Sequence, residues 1–195
     1  MRLSKLLGKT LRQPPAEAKL PSHQLLVRAG YIRSYEGGHF VHLALGVRTL
    51  RKVRALVRYE LLSLAAQEIE FAALPDADSN TALVRLVDGE VDSYRKLPLV
   101  LVRHALLKVE KPVHRVGLFG AAVRPVVELH AFAGAELAEG QPQVRAALDR
   151  VFSACAVPVV WAEAGENAYR ALLSHPVGSQ ELTRCPACGY AAERG

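Results

Sequence analysis

Two cysteines three residues apart, Cys185 and Cys188, carry the sharpest chemical spacing in the chain. It is the spacing of a metal knuckle, but a structural zinc needs four ligands and there is no second pair. His175 is the one further candidate nearby, and a half-site shared across a dimer would also meet the count. A redox role is weaker, because no βαβ pattern precedes the pair. Cys155 falls on an apolar helical stripe and reads as a small buried side chain rather than a nucleophile. The histidines are scattered. His39 and His42 sit beside an aromatic turn; His104 and His130 lie on two strand-like segments, where they could meet in a pocket or serve as ordinary surface or hydrogen-bonded groups. No Ser-His-Asp order, P-loop or Gly-x-Gly-x-x-Gly fingerprint occurs. The remaining chemical feature is a basic connector from Glu110 to Ala122, broken by Pro112, Gly117 and Gly120, which suits a phosphate-facing loop.

Those residues need a scaffold, and 195 residues suffice for one well-formed core. Half of them are apolar, as in an ordinary soluble domain. No apolar run approaches the ~18 residues of a membrane helix. The longest candidate, Leu97 to Leu107, is broken by Pro98, Arg103 and His104. The first residues are basic and free of acids until Glu17, as transit segments are, but the expectation is an exposed N-terminal arm over residues 1–20. Three cysteines argue against a disulfide framework and for a reducing, cytoplasmic setting. The net charge of +6 and pI near 9.4 favour a polyanion such as RNA, or simply solubility.

The elements follow from periodicity. Ser22 is placed to cap a helix through Leu25, Leu26 and Ala29, stopped by Gly30. Tyr31–Phe40 reads as a tight turn or short hairpin. Leu50, Val53, Val57, Leu61 and Leu64 mark one helical face, with Arg48, Arg51, Lys52 and Arg58 largely off it. Glu68–Leu74 alternates as a half-buried strand, and Ala82–Val87 reads as a short strand ending at an Asp88-Gly89 turn. Leu99–Val109 and Val123–Phe132 form an antiparallel pair, Gln141–Cys155 a helix, Val157–Ala162 a strand and Gly165–Ser174 a helix. Strands in pairs without strict alternation point to an α+β fold with a mainly antiparallel sheet. Its domain spans 21–184, with 185–195 a tail.

Several segments follow one another along the chain: Ser4-Lys5-Leu6-Leu7, Pro21-Ser22-His23, Leu26-Val27-Arg28-Ala29-Gly30-Tyr31-Ile32-Arg33, Leu45-Gly46-Val47-Arg48-Thr49-Leu50-Arg51-Lys52-Val53, Ala66-Gln67-Glu68, Ser93-Tyr94-Arg95-Lys96-Leu97-Pro98-Leu99 and Cys188-Gly189-Tyr190-Ala191-Ala192. In that order they resemble bacterial-type prolyl-tRNA synthetases, including that family's SYRQLPL and CGYAA segments. The resemblance implies the class II synthetase fold, an antiparallel sheet flanked by helices. It also implies a dimer through a motif 1 made of the Arg48–Leu64 helix and the Glu68–Leu74 strand. The family's proline in that strand is Ala72 here.

The same resemblance implies ATP and magnesium as cofactors and tRNA as a partner. Its motif 2 Phe-Arg-x-Glu corresponds to Leu107-Lys108-Val109-Glu110, so Lys108 keeps the charge but loses the arginine fork, and Glu110 is kept. GLMRAREF corresponds to Gly117–Arg124, where Gly120, Ala122 and Val123 replace both arginines and the glutamate. Arg115 or Arg124 would have to substitute for them. The Thr-x-Glu segment is expected to be deleted around Asp88–Glu90, and the motif 3 arginine, the anticodon-binding domain and most of the editing insertion are expected to be missing. The family often carries a pair like Cys185 and Cys188, so a vestigial knuckle is expected, without zinc.

Losing one preorganised charge contact costs about 10²–10³ in rate. The expectation is therefore a weakened or inactive synthetase-like module. It would bind tRNA, a small ligand, or a related synthetase in a homodimer or heterodimer, and no membrane. The alternative is an active ATP-dependent ligase that adenylates proline and passes it to tRNA or another acceptor.

Overall fold

The computed structural model describes residues 5–71, 79–109, 114–133, 137–165, 168–175, 178 and 180–194, with backbone alone at 37, 114–115 and 137–141. Two compact units divide the chain, Met1–Val144 and Arg145–Gly195. The division falls within a helix.

In the first unit, helix α1 (Pro21–Arg28) starts at a proline whose fixed φ suits the first helical position. Ser22, the expected cap, lies inside the helix; Leu20 flanks it with extended backbone and contributes no side-chain cap. The stop is at Gly30 as expected, at φ +72. Gly30 N–H donates to the Val27 carbonyl at 3.1 Å and Tyr31 N–H to the Leu26 carbonyl at 2.9 Å, a Schellman ending. The arm before α1 is tied to it: Leu11 N–H donates to the Arg28 carbonyl, the Arg33 guanidinium to the Lys9 carbonyl, and Ala18 and Leu20 are buried. The expected hairpin forms from β1 (Ile32–Tyr35) and β2 (His39–His42), joined by a 3-10 turn at Glu36–Gly38.

Helix α2 (Ala44–Leu62) begins earlier than Arg48, and Arg48, Arg51, Lys52 and Arg58 are exposed as expected. The expected strand at Glu68–Leu74 shrinks to β3 (Gln67–Glu68). Its alternation nonetheless holds, since Ile69 and Phe71 pack against the core of Leu83, Val87 and Leu101; positions 72–74 lie outside the described residues. The larger correction is α3 (Ser79–Glu90), a helix where a strand and an Asp88-Gly89 turn were expected. Leu83 and Val87, four apart, are its buried positions, so helical period decides over the local run of apolar residues.

Strands β4 (Leu99–Lys108) and β5 (Val123–Phe132) pair over their full length as expected, from Leu99 opposite Phe132 to Lys108 opposite Val123. β3 adds to β4 in parallel at Leu101 and Val102, and the three strands form one sheet, β3-β4-β5. Helix α4 (Leu137–Ala154) starts before Gln141, so Pro142 lies inside it.

The second unit is a four-stranded sheet in the order β7-β6-β9-β8, made of β6 (Val160–Glu163), β7 (Tyr169–Leu172), β8 (Leu182–Arg184) and β9 (Ala191–Glu193). The helix expected at Gly165–Ser174 is instead β7, antiparallel to β6. Trp161 anchors β6 to α4: Asp149 accepts its indole N–H at 2.6 Å, Phe152 meets it edge-on and Arg145 lies over its ring. Residues 185–190 are the turn of a β8–β9 hairpin and part of this sheet. The protein is thus a mixed α+β structure with four helices among the described residues.

Candidate functional site

Side chains of directly opposed residues in an antiparallel pair share a face. On the β4–β5 hairpin, Arg103, Leu107, Arg124, Glu128 and His130 therefore lie on one face, and His104 and Lys108 on the other. Lys108 and Arg124 leave the hairpin on opposite sides. They do not gather into a single phosphate cradle. Glu110 lies outside the described residues, as does the side chain of Arg115. Arg124 keeps its Nε buried without a partner among the described residues, whereas Lys108 is exposed. His104 and His130 are also separated. His104 approaches Glu68 at 3.6 Å, and Glu68 in turn accepts from Arg58 at 2.6 Å; His130 lies 3.4 Å from Glu128.

A polar cluster that the sequence reading did not single out sits where α3 covers the Arg124 face. Arg103, with only 5% of its side chain exposed, forms an ion pair with Glu128 and donates to Ser79 Oγ at 2.7 Å, at the start of α3. The Phe71 ring centroid lies 5.5 Å from the guanidinium carbon, which sits over the ring. In the sequence Arg103 is only a break in an apolar run. Its pairing with Glu128 follows from the register that the paired strands adopt.

The loop between the strands rests on another unanticipated residue. His23 in α1 is buried against Gly117, edge-on to Phe40 at 5.4 Å, and neither ring nitrogen has a partner among the described residues. Burial holds the His23 pKa below its ordinary 6.5, with Glu17 pulling weakly the other way; burial and then Arg54 lower His42 similarly. Both folded-state pKa values lie below the unfolded one, so the unfolded chain takes up protons first as pH falls. The stability from these neutral rings is complete above about pH 6.5 and declines below it. Melting temperature should therefore drop between pH 7 and pH 5, and His23→Phe should flatten that decline. An unchanged acid limb in the variant would remove His23 from the account.

A different set of cations stays accessible. Arg48, Arg51 and Lys52 project from α2 with no ion-pair partner among the described residues, and Tyr59 is exposed further along the helix. The i, i+3, i+4 spacing places those three cations on one side of it.

In the second unit, Cys185 and Cys188 occupy the β8–β9 turn. Gly189 at φ +75 donates to the Cys185 carbonyl at 3.0 Å, and Cys185 N–H donates to the Tyr190 carbonyl at 2.8 Å. The backbone N–H groups of Cys188 and Ala187, with the Cys188 thiol, hold the Cys185 thiol below its ordinary range. Among the described residues no three His, Cys, Asp or Glu side chains come together as a metal site, and no helix is long and apolar enough to cross a membrane.

No family model matches the chain. Curated relatives do. The chain is 31% identical to the proline–tRNA ligase of Desulfitobacterium hafniense over 232 aligned positions, and 31% identical to that of Mycobacterium ulcerans. It is 29% identical to that of Caldicellulosiruptor saccharolyticus. Each match covers 98% of this chain but 40% of the relative, so the chain spans less than half their length. An aligned stretch of 232 positions exceeds the 195 residues of the chain, so the match is colinear but gapped.

Proposed function

The chain is prolyl-tRNA synthetase-like over nearly its whole length, and we propose that it acts as a tRNA-binding module in which amino-acid activation is weakened or lost. The observation that carries this reading is where the cations lie. On the β4–β5 hairpin Lys108 and Arg124 diverge, while Arg48, Arg51 and Lys52 stand together and accessible on α2.

Adenylation would need cations converging on the phosphates of ATP, where charge develops. The described residues do not fit that group, because the fork of Arg124 and the charge of Lys108 point to different sides of the sheet. RNA binding makes a looser demand. A row of cations can follow a backbone by releasing its counterions, and an exposed tyrosine offers a surface for stacking.

Two measurements test the reading together. Amino-acid-dependent ATP–pyrophosphate exchange should be absent with proline and with a panel of other amino acids. Binding to unfractionated tRNA should weaken steeply with salt, and Arg51→Ala with Lys52→Ala should lower the slope of log affinity against log salt by about 1 per phosphate contact removed. Proline-dependent exchange that disappears in Lys108→Ala would make the protein a minimal ligase and overturn the proposal. A salt-independent affinity for tRNA would overturn the RNA part of it.

A further inference from the structure

The Cys185–Cys188 turn has a geometry that neither RNA binding nor amino-acid activation uses. Two thiols stand three residues apart at the end of a β-hairpin, Cys185 half-buried and Cys188 exposed. Backbone hydrogen bonds from Gly189 to Cys185 and from Cys185 to Tyr190 close the turn, and a left-handed Gly189 lets the chain fold back. A metal-binding knuckle is preorganised by the same two features, a closed turn that holds the sulfurs three residues apart and a glycine that permits the reversal. Arg184 lies beside the turn, its guanidinium 4.0 Å from where a Cβ on Gly189 would sit, and it has no ion-pair partner among the described residues. The described residues of one chain bring no third ligand to the pair.

We propose that Cys185 and Cys188 are half of a tetrahedral four-thiolate zinc site, completed by the same two residues of a second copy of this chain. Two thiols per chain and four ligands per zinc fix the ratio at one metal to two chains. A two-fold axis through the metal is the simplest closed arrangement that supplies them, and two-fold dimers are the commonest closed assembly. The knuckle lies at the β8 edge of its sheet, where the turn is open to approach. Zinc with four thiolates carries a net charge of −2, which the two Arg184 side chains, one from each copy, are placed to offset. Each thiol gives up its proton on binding, four protons for each zinc, so acid releases the metal.

The test uses the full chain, reduced and stripped of metal, titrated with cobalt(II) as a spectroscopic stand-in and then with zinc. The expected result is the visible absorption of tetrahedral cobalt thiolate, saturating at one metal per two chains and bleached by zinc. Metal should also double the mass of the species it binds, from the 21.2 kDa chain if that is monomeric. Cys185→Ser and Cys188→Ser should each abolish the bands while leaving the far-UV circular dichroism unchanged. His175→Ala should leave them intact. One metal per chain without a change in mass would overturn the shared site, as would bands that need His175. So would the absence of thiolate–metal absorption from the folded, reduced protein.

Discussion

Glu128→Ala should lower the melting temperature by about 6–12 °C, the largest loss expected from any single truncation in the β4–β5 hairpin. The carboxylate is the counter-charge for a guanidinium that is 5% exposed, and arginine cannot escape burial by giving up its proton. With Glu128 gone, Arg103 keeps one hydroxyl, from Ser79, and one ring face, from Phe71. Removing one partner of a buried pair costs about 3–5 kcal/mol, and the lower end applies because 31% of the Glu128 side chain already meets solvent. The penalty belongs to the stranded charge rather than to the pair. Replacing both residues, Arg103→Met with Glu128→Leu, should therefore recover most of the lost stability. A melt of Glu128→Ala within 2 °C or so of wild type would show that water reaches Arg103.

Gly117→Ala is expected to cost about 3 kcal/mol, from two independent causes. Gly117 has φ +60 and ψ −135, a conformation that side chains of L-residues avoid. A Cβ there would also lie 2.8 Å from both Cβ and Cγ of His23, which is held against Phe40 and cannot retreat. The contrast is Gly89→Ala, in the last turn of α3 with nothing within 4 Å of its would-be Cβ. There the change should stabilise by about 0.5–1 kcal/mol, because it removes backbone freedom from the unfolded chain. Paired chemical denaturation curves read both. Equal shifts in the two variants would mean that the loop yields around His23.

How much of this was legible in the sequence depended on what each element answers to. The β4–β5 pair and the β1–β2 hairpin were readable because strand period, turn residues and length agreed. Gly30 ended α1 as expected because a left-handed residue is a local requirement. Ala82–Val87 was misread because its apolar residues satisfy two periods, and what selects the helix is packing of Leu83 and Val87 on Leu101, a residue far along the chain. Tyr169–Leu172 was misread for the same reason, its strand being set by pairing with Val160–Glu163. For the site, types and order placed Lys108 and Arg124 on their strands, whereas Cys185 and Cys188, expected in a C-terminal tail, lie in the β8–β9 turn of the second sheet. The divergence of Lys108 and Arg124 depends on the parity of the register, and only a paired hairpin states it. His23 was visible merely as part of a resemblance, since nothing local distinguishes a buried histidine from a surface one.

The three-stranded sheet bears on handling of the protein as well as on its function. β3 covers the outer side of β4 only at Leu101 and Val102, and β5 has no neighbour beyond it among the described residues. Past Val102 the outer side of β4 has no strand partner among the described residues, with Leu106, 70% exposed, close to its end. Three residues there oppose self-association: Lys108 and Arg124 by repulsion between copies, and Pro125, opposite Leu106, by withholding a donor. Colloidal behaviour is therefore governed by a few residues that contribute little to folding. Polyanions or salt that mask those two charges would favour aggregation of fully native protein, with no warning from its melting curve.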